Sequence, residues 1–377
     1  MIKAKPYLDT TPFVYGKMAT MAAQHNAVSF TQGAPDFDTP EWFIDKTTYY
    51  MKKGFNQYAP IPGAPKLRQA IKEKVKICYD TDVDVDNIII TSGAGEAIYA
   101  VLTSYIEKGD EVIFFDPTYD PYNSVTLMNQ GIPVRLKLQE NGKIDVKAIA
   151  NAITDRTKVI ILNSPHNPMG TVISKEEYQE IAKIIKGKDI LLFADEVYEH
   201  IYAGDKFTSA LEIPELRDQL VVFQSLGKTF NLTGWRIGIC IAPKAVIEYV
   251  IVVKQVSSFS PSHPMQLALA DGIVEHPEYY LNLNKIYKKQ NALLREKLKN
   301  SRFKLLAWEG SPFQMLDYRN ISNENDMEFC TRLIKEYGVG LIPCSSFYEK
   351  PEHGLLRLCF AKKDDAIIKG AEILCKI

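Results

Sequence analysis

The 377-residue chain has no closely spaced cysteine pair, no excess of either charge and no long apolar run, and each lack removes a class of protein. Cys78, Cys240, Cys330, Cys344, Cys359 and Cys375 are scattered, with no C-x-x-C pair and no histidine at metal-ligand spacing. Neither a disulfide framework nor a metal site is expected, and the thiols read as reduced residues of a cytoplasmic protein. With 45 Lys and Arg against 46 Asp and Glu, the chain has no general attraction for nucleic acid or anionic lipid, and no basic patch stands out. Apolar runs such as residues 88–90 fall far short of the ~20 residues that span a bilayer. Residues 1–13 lack the apolar core of a secretory signal. Internal repeats and low-complexity tracts are also missing.

What the chain does have is length for two or three lobes and a regular alternation of textures. Between about residues 85 and 242, seven short β-branched runs alternate with amphipathic stretches: 87–91, 111–115, 133–138, 158–162, 190–194, 220–224 and 236–242. Runs this short and continuous suit strands buried on both faces, so an α/β fold with a mostly parallel seven-stranded sheet between helices is expected. Ser174 to Glu177 has the pattern of a capping box, and Gly187 closes the helix that follows. Beyond about residue 275, an amphipathic stretch (279–299) precedes short runs at 303–308, 314–318, 338–342 and 355–360, which read as a smaller α+β lobe. The first 30 or so residues, rich in Pro, Tyr and Phe, are expected to lie across a lobe or subunit boundary.

The residues with chemistry gather just after the strand-like runs, where open parallel sheets bind ligands. They lie in TSGAGEAIYA (91–100), NSPHNPMG (163–170), ADEVYEHIY (194–202) and SLGKTFNLTGWRIG (225–238). Together these segments resemble the fold type I, pyridoxal-phosphate-dependent class I aminotransferases. TQGAPDFDTP (31–40), NQYAPIPGAPKLRQAI (56–71), DEVIFFDPTYDPY (110–122) and LLRLCFAKK (355–363) extend the resemblance over nearly the whole chain, toward the kynurenine, glutamine and methionine branch. A dinucleotide fingerprint at Gly93-Ala94-Gly95 fails, because its third glycine would fall on Ile98. The resemblance implies a large cofactor lobe at 36–272 and a small lobe made of 1–35 with 273–377.

Each family role falls on a residue type that suits it. Lys228 matches the lysine that forms the Schiff base with pyridoxal 5'-phosphate and then moves the substrate α-proton. Asp195, directly after an apolar run, matches the carboxylate that keeps the ring nitrogen protonated; Tyr198 and Asn167 match the donors to the ring oxygen. These three also fit a helix cap, a core tyrosine and a turn asparagine. Tyr119 takes the place of the ring-stacking aromatic. For the phosphate, the amides of Gly93, Ala94 and Gly95 open a helix, and Ser225 and Arg236 match the family's serine and arginine. Many relatives carry a hydroxyl residue where Gly95 stands. Tyr58 resembles the tyrosine that reaches the neighbouring subunit's phosphate, which implies a homodimer with shared sites, and it also fits an ordinary interface aromatic. Arg357 matches the clamp on the substrate α-carboxylate, because a charge inside an apolar run is costly without an anion. Gly33 resembles the glycine whose backbone approaches the same carboxylate.

The reaction implied is transfer of an amino group to a 2-oxo acid in ping-pong half-reactions. The stretch 257–266 contains no arginine to hold a distal carboxylate, so an uncharged donor is expected: methionine, phenylalanine, tyrosine, kynurenine or glutamine. Tyr15, Trp42, Tyr122 and Phe347 are the aromatic candidates to line its pocket. A cysteine-S-conjugate β-lyase would use the same lysine and cofactor, and a regulator with a DNA-binding head is the remaining alternative. Neither a helix-turn-helix head nor a membrane partner is expected.

Overall fold

The seven apolar runs form one sheet in the computed structural model, which describes residues 14–377. The strands are β1 (Ile88–Thr91), β2 (Glu111–Asp116), β3 (Ile132–Lys137), β4 (Thr157–Asn163), β5 (Leu191–Asp195), β6 (Leu220–Ser225) and β7 (Gly238–Ile241). Their spatial order is β1-β7-β6-β5-β4-β2-β3, and β7 alone runs antiparallel to its neighbours. The period of two along each strand explains how the sheet is covered. Ile88, Ile90, Ile113, Ile160 and Leu162 face one apolar core, which helices Pro65–Tyr79, Lys175–Ile185 and His263–Glu275 complete. Ile89, Val112, Phe114, Val159 and Ile161 face a second, closed by helices Ala94–Tyr105, Asp120–Met128 and Lys244–Ser257. Burial on both faces is what made these runs continuous rather than alternating.

β3 departs from that expectation: as the edge strand it is half-exposed along its length, and Pro133 is tolerated there because an edge can spare a ladder donor. The capping box at Ser174 and Glu177 is present, and Gly187 follows with φ +74°. The expected helix at 279–299 is two helices, Pro277–Leu281 and Leu283–Lys297, divided at Asn282. The run at 338–342 is also divided. Val339–Gly340 pairs in parallel with Val28–Ser29, while Ile342–Pro343 joins a four-stranded sheet with β8 (Phe313–Asp317) and β9 (Leu355–Cys359).

A third core gathers both ends of the described chain: helix Val14–Gln24 contributes Val14, Met18 and Ala22, and the last helix, Asp364–Leu374, contributes Ile367, Ala371 and Leu374. Tyr198 and Ile201, from the loop after β5, also enter it and so join the large sheet to the small one. Among the described residues no helix is long and apolar enough to cross a membrane, and no group of three or more His, Cys, Asp or Glu is placed to hold a metal ion.

Candidate active site

The carboxyl ends of β1, β4, β5 and β6 meet the amino end of the antiparallel β7 along one edge: Asn163 lies opposite Asp195, and Gly238 lies between Thr91 and Ser225. A cavity of about 310 Å³ opens above this edge. Into it the fold brings Tyr15, Gly33, Ala94, Gly95, Tyr119, Asn167, Asp195, Tyr198, Ser225, Lys228, Arg236 and Arg357. Residues more than three hundred positions apart in sequence thus share one space.

Lys228 stands on the short helical turn Leu226–Thr229 that follows β6. Its Nζ donates to the Gly33 carbonyl oxygen at 2.5 Å and lies 5.5 Å from the centre of the Tyr198 ring. Burial pushes its pKa down to about 8, with the positive charges of Arg357 and Arg236 adding to the effect. The Gly33 carbonyl therefore meets the lysine rather than a free space. A side chain there would also come 2.9 Å from the Phe313 ring.

Asp195 ends β5 at 3% exposure. Burial pushes its pKa up to about 6, against hydrogen bonds from the Tyr122 hydroxyl to Oδ2 (2.5 Å) and the Val197 amide to Oδ1 (3.3 Å). No cation among the described residues lies within ion-pair distance of it. Asn163, beside it in the sheet, donates to the Asp195 carbonyl (2.9 Å) and accepts from the Asn167 amide (2.7 Å), which ties the loop bearing Asn167 to β5.

Arg236 was expected inside a strand and lies just outside one. It adopts φ 56°, ψ 51°, a left-handed conformation that costs a non-glycine residue roughly 1–2 kcal/mol. That geometry turns its guanidinium against Gly93 at the start of helix Ala94–Tyr105. Gly93 has φ +79°, and a Cβ there would fall 2.5 Å from Arg236 Nη2. Arg236, Ser225 and Ala94 and Gly95, the first residues of a twelve-residue helix, all line the cavity.

Arg357, in the middle of β9, is 1% exposed. Nη1 donates to Asn167 Oδ1 and Nη2 to the Thr31 carbonyl, each at 2.9 Å, while Nε has no partner. Its guanidinium carbon sits 4.1 Å from the Phe313 ring centre, 4.7 Å from Tyr15 and 5.6 Å from Phe347. No carboxylate among the described residues pairs with it, so a buried cation is held ready for an anion.

The structure separates the other candidates. Trp42 is not a pocket residue: it packs on Phe43 (3.7 Å between ring centres) and His276 (4.2 Å) in the core beneath the sheet. Tyr122 does not face the cavity either, because its hydroxyl is committed to Asp195. Phe347 lies tilted against Tyr15, 5.6 Å between ring centres, and is not among the residues that line the cavity. Tyr58 is 81% exposed, rests against Phe259 and lies outside this cavity. Gln32, Ile98, Asn163, Val197 and Phe313 line the cavity and were missed. Asn163 was within reach, as the residue directly after the apolar run 158–162, whereas nothing local marks Phe313. His166 is buried with its pKa pushed down to about 4 and accepts from the Met169 amide, a neutral structural role.

With this fold and this cluster, the chain belongs to the aminotransferase class I and II family, which residues 25–372 match. It is 40% identical over 373 residues to the methionine aminotransferase of Escherichia coli, covering 98% of this chain and 96% of that protein. It is 31% identical over 420 residues to the kynurenine–oxoglutarate transaminase of Dictyostelium discoideum, covering 99% and 96%. Among solved structures, YbdL of Escherichia coli, reported with a methionine aminotransferase function, superposes with a TM-score of 0.97 at 38% identity over all of both chains.

Proposed function

We propose that this aminotransferase works with pyridoxal phosphate and takes its amino group from an uncharged L-amino acid, with methionine and aromatic side chains foremost. The observation that carries the reading is the pairing, within one cavity, of a buried lysine with a lowered pKa and a buried carboxylate that lacks a cation. Such a cavity fits a group with an aldehyde, a basic ring nitrogen and a phosphate. Lys228 would hold the carbonyl carbon, Asp195 the ring nitrogen, Tyr198 and Asn167 the ring oxygen, and Tyr119 one ring face. Ser225, Arg236 and the amides of residues 93–95 would hold the phosphate. When bound, pyridoxal phosphate supplies a ring that accepts the electron pair left at the substrate α-carbon.

The chain supplies the rest. A pKa lowered to about 8 by burial leaves far more of Lys228 as free amine near neutral pH than the ordinary lysine value would. The free amine is the form that can attack a carbonyl and later take a proton. Arg357 holds the α-carboxylate in a bidentate fork, stacked so that it cannot swing away. Tyr15, on the same guanidinium, closes the aromatic wall. Among the described residues, Lys228, Arg236 and Arg357 are the cations that line the cavity and each has a task, so none of these is left for a distal carboxylate. The relatives named for methionine and kynurenine support the same preference. Exposed Tyr58 supports a homodimer in which each subunit lends this tyrosine to the other's phosphate.

A panel of amino donors with a 2-oxo-acid acceptor is the test. Methionine or an aromatic amino acid is expected to give the highest kcat/KM, and aspartate ahead of all of these would overturn the substrate class.

A further inference from the structure

The buried carboxylate has a supporting group, Tyr122, that does not itself line the cavity. Tyr122 Oη donates to Asp195 Oδ2 at 2.5 Å, and both residues are only 3% exposed. The Tyr122 ring is fixed edge-on between Phe114 (6.2 Å between centres) and Tyr119 (5.6 Å), so the phenol has one place to point. With the Val197 amide on the other oxygen, Asp195 has two neutral donors and no cation among the described residues. A lysine or arginine behind Asp195 would neutralise it. A phenol instead lowers the cost of the buried charge and leaves that charge available to a third group in the cavity.

We propose that Tyr122 is a positioning residue: its hydroxyl holds Asp195 ionised and turned into the cavity, and so sets how firmly the carboxylate holds the ring nitrogen of pyridoxal phosphate. The inference rests on the pyridoxal-phosphate reading above. The groups that face Asp195 are the phenols of Tyr119, Tyr122 and Tyr198 and the Val197 amide, with Lys228 and Arg236 lining the same cavity. Burial raises the Asp195 pKa and the Tyr122 bond lowers it. Without that bond the carboxylate protonates at higher pH, and cofactor binding on the acid side fails sooner.

The test is Tyr122→Phe, with pyridoxal phosphate titrated into the cofactor-free protein across a pH series. Expected are about tenfold weaker cofactor binding and an acid limb moved to higher pH. Turnover is expected to lose kcat while KM for the amino donor holds within about twofold. In an Asp195→Asn background the same change should add almost nothing, because the tyrosine acts through a charge already removed. Losses that multiply in the double variant, or a Tyr122→Phe protein with unchanged affinity and acid limb, would make Tyr122 a packing residue and overturn the proposal. If Tyr122→Phe does not fold, Tyr122→3-fluorotyrosine keeps the ring and strengthens the donor, so the acid limb should move to lower pH; an unmoved limb overturns the proposal. Failure of the unaltered protein to bind the cofactor at all would sink the underlying reading as well.

Discussion

Gly95 has open space where a side chain would stand, with no atom within 4 Å of a built Cβ, and it lines the cavity one residue after the helix begins. Its φ is not among the positive values, so a side chain meets no backbone strain. Gly95→Ser is therefore expected to place a hydroxyl among the phosphate donors and to remove a flexible glycine from the first turn. Pyridoxal phosphate should bind about threefold to tenfold more tightly, read by titration of the cofactor-free protein; unchanged or weaker binding would mean that the space belongs to something other than the phosphate. Single residues of this kind were legible in the sequence wherever a motif named them: Lys228, Asp195 and Arg357 follow or interrupt apolar runs, and their chemistry is conspicuous there. Trp42 and Tyr122 were misplaced for one physical reason. An aromatic residue serves a pocket wall or a core equally well, and only tertiary packing decides which.

Elements place those residues, and the junction of β7 with helix Ala94–Tyr105 is a close backbone contact. A Cβ on Gly238 would lie 2.4 Å from the backbone of Gly93 and Ala94, atoms that cannot move aside without shifting the helix start. Gly238→Ala should cost about 1–3 kcal/mol in stability, measured by denaturant unfolding. It should also weaken pyridoxal-phosphate binding, because Arg236 and the helix amides approach each other across this contact. A variant as stable and as tightly binding as the unaltered protein would show that the cradle does not depend on the contact. The order of strands and helices was legible because period and punctuation differ between them. The antiparallel direction of β7 and the exposed edge at β3 were not, since both follow from which strands become neighbours. Arg236 illustrates the limit: its run reads as strand, yet the residue takes a left-handed turn because its guanidinium reaches the helix start from there.

At the scale of the whole molecule, the cavity asks for charges that folding alone disfavours. Burial holds Lys228 toward its neutral form and Asp195 toward its protonated form, so the protein has given up stability to keep both groups dry. Arg357 is buried under the same tension, held among three aromatic rings with no paired carboxylate among the described residues. Near-zero net charge fits this design, because on the proposed reading anions would be bound by a few placed residues and not by a basic surface. The third core, which draws on both ends of the described chain, brings Tyr15 and Arg357 over the edge of the large sheet, a juxtaposition no local pattern could announce. The most direct measurement is borohydride reduction of the protein loaded with pyridoxal phosphate, followed by peptide mass mapping with and without methionine. The account predicts the reduced cofactor attached to the Lys228 peptide, and loss of that attachment when methionine is added before the reductant. Attachment to another lysine, or an attachment at Lys228 that methionine leaves untouched, would contradict it.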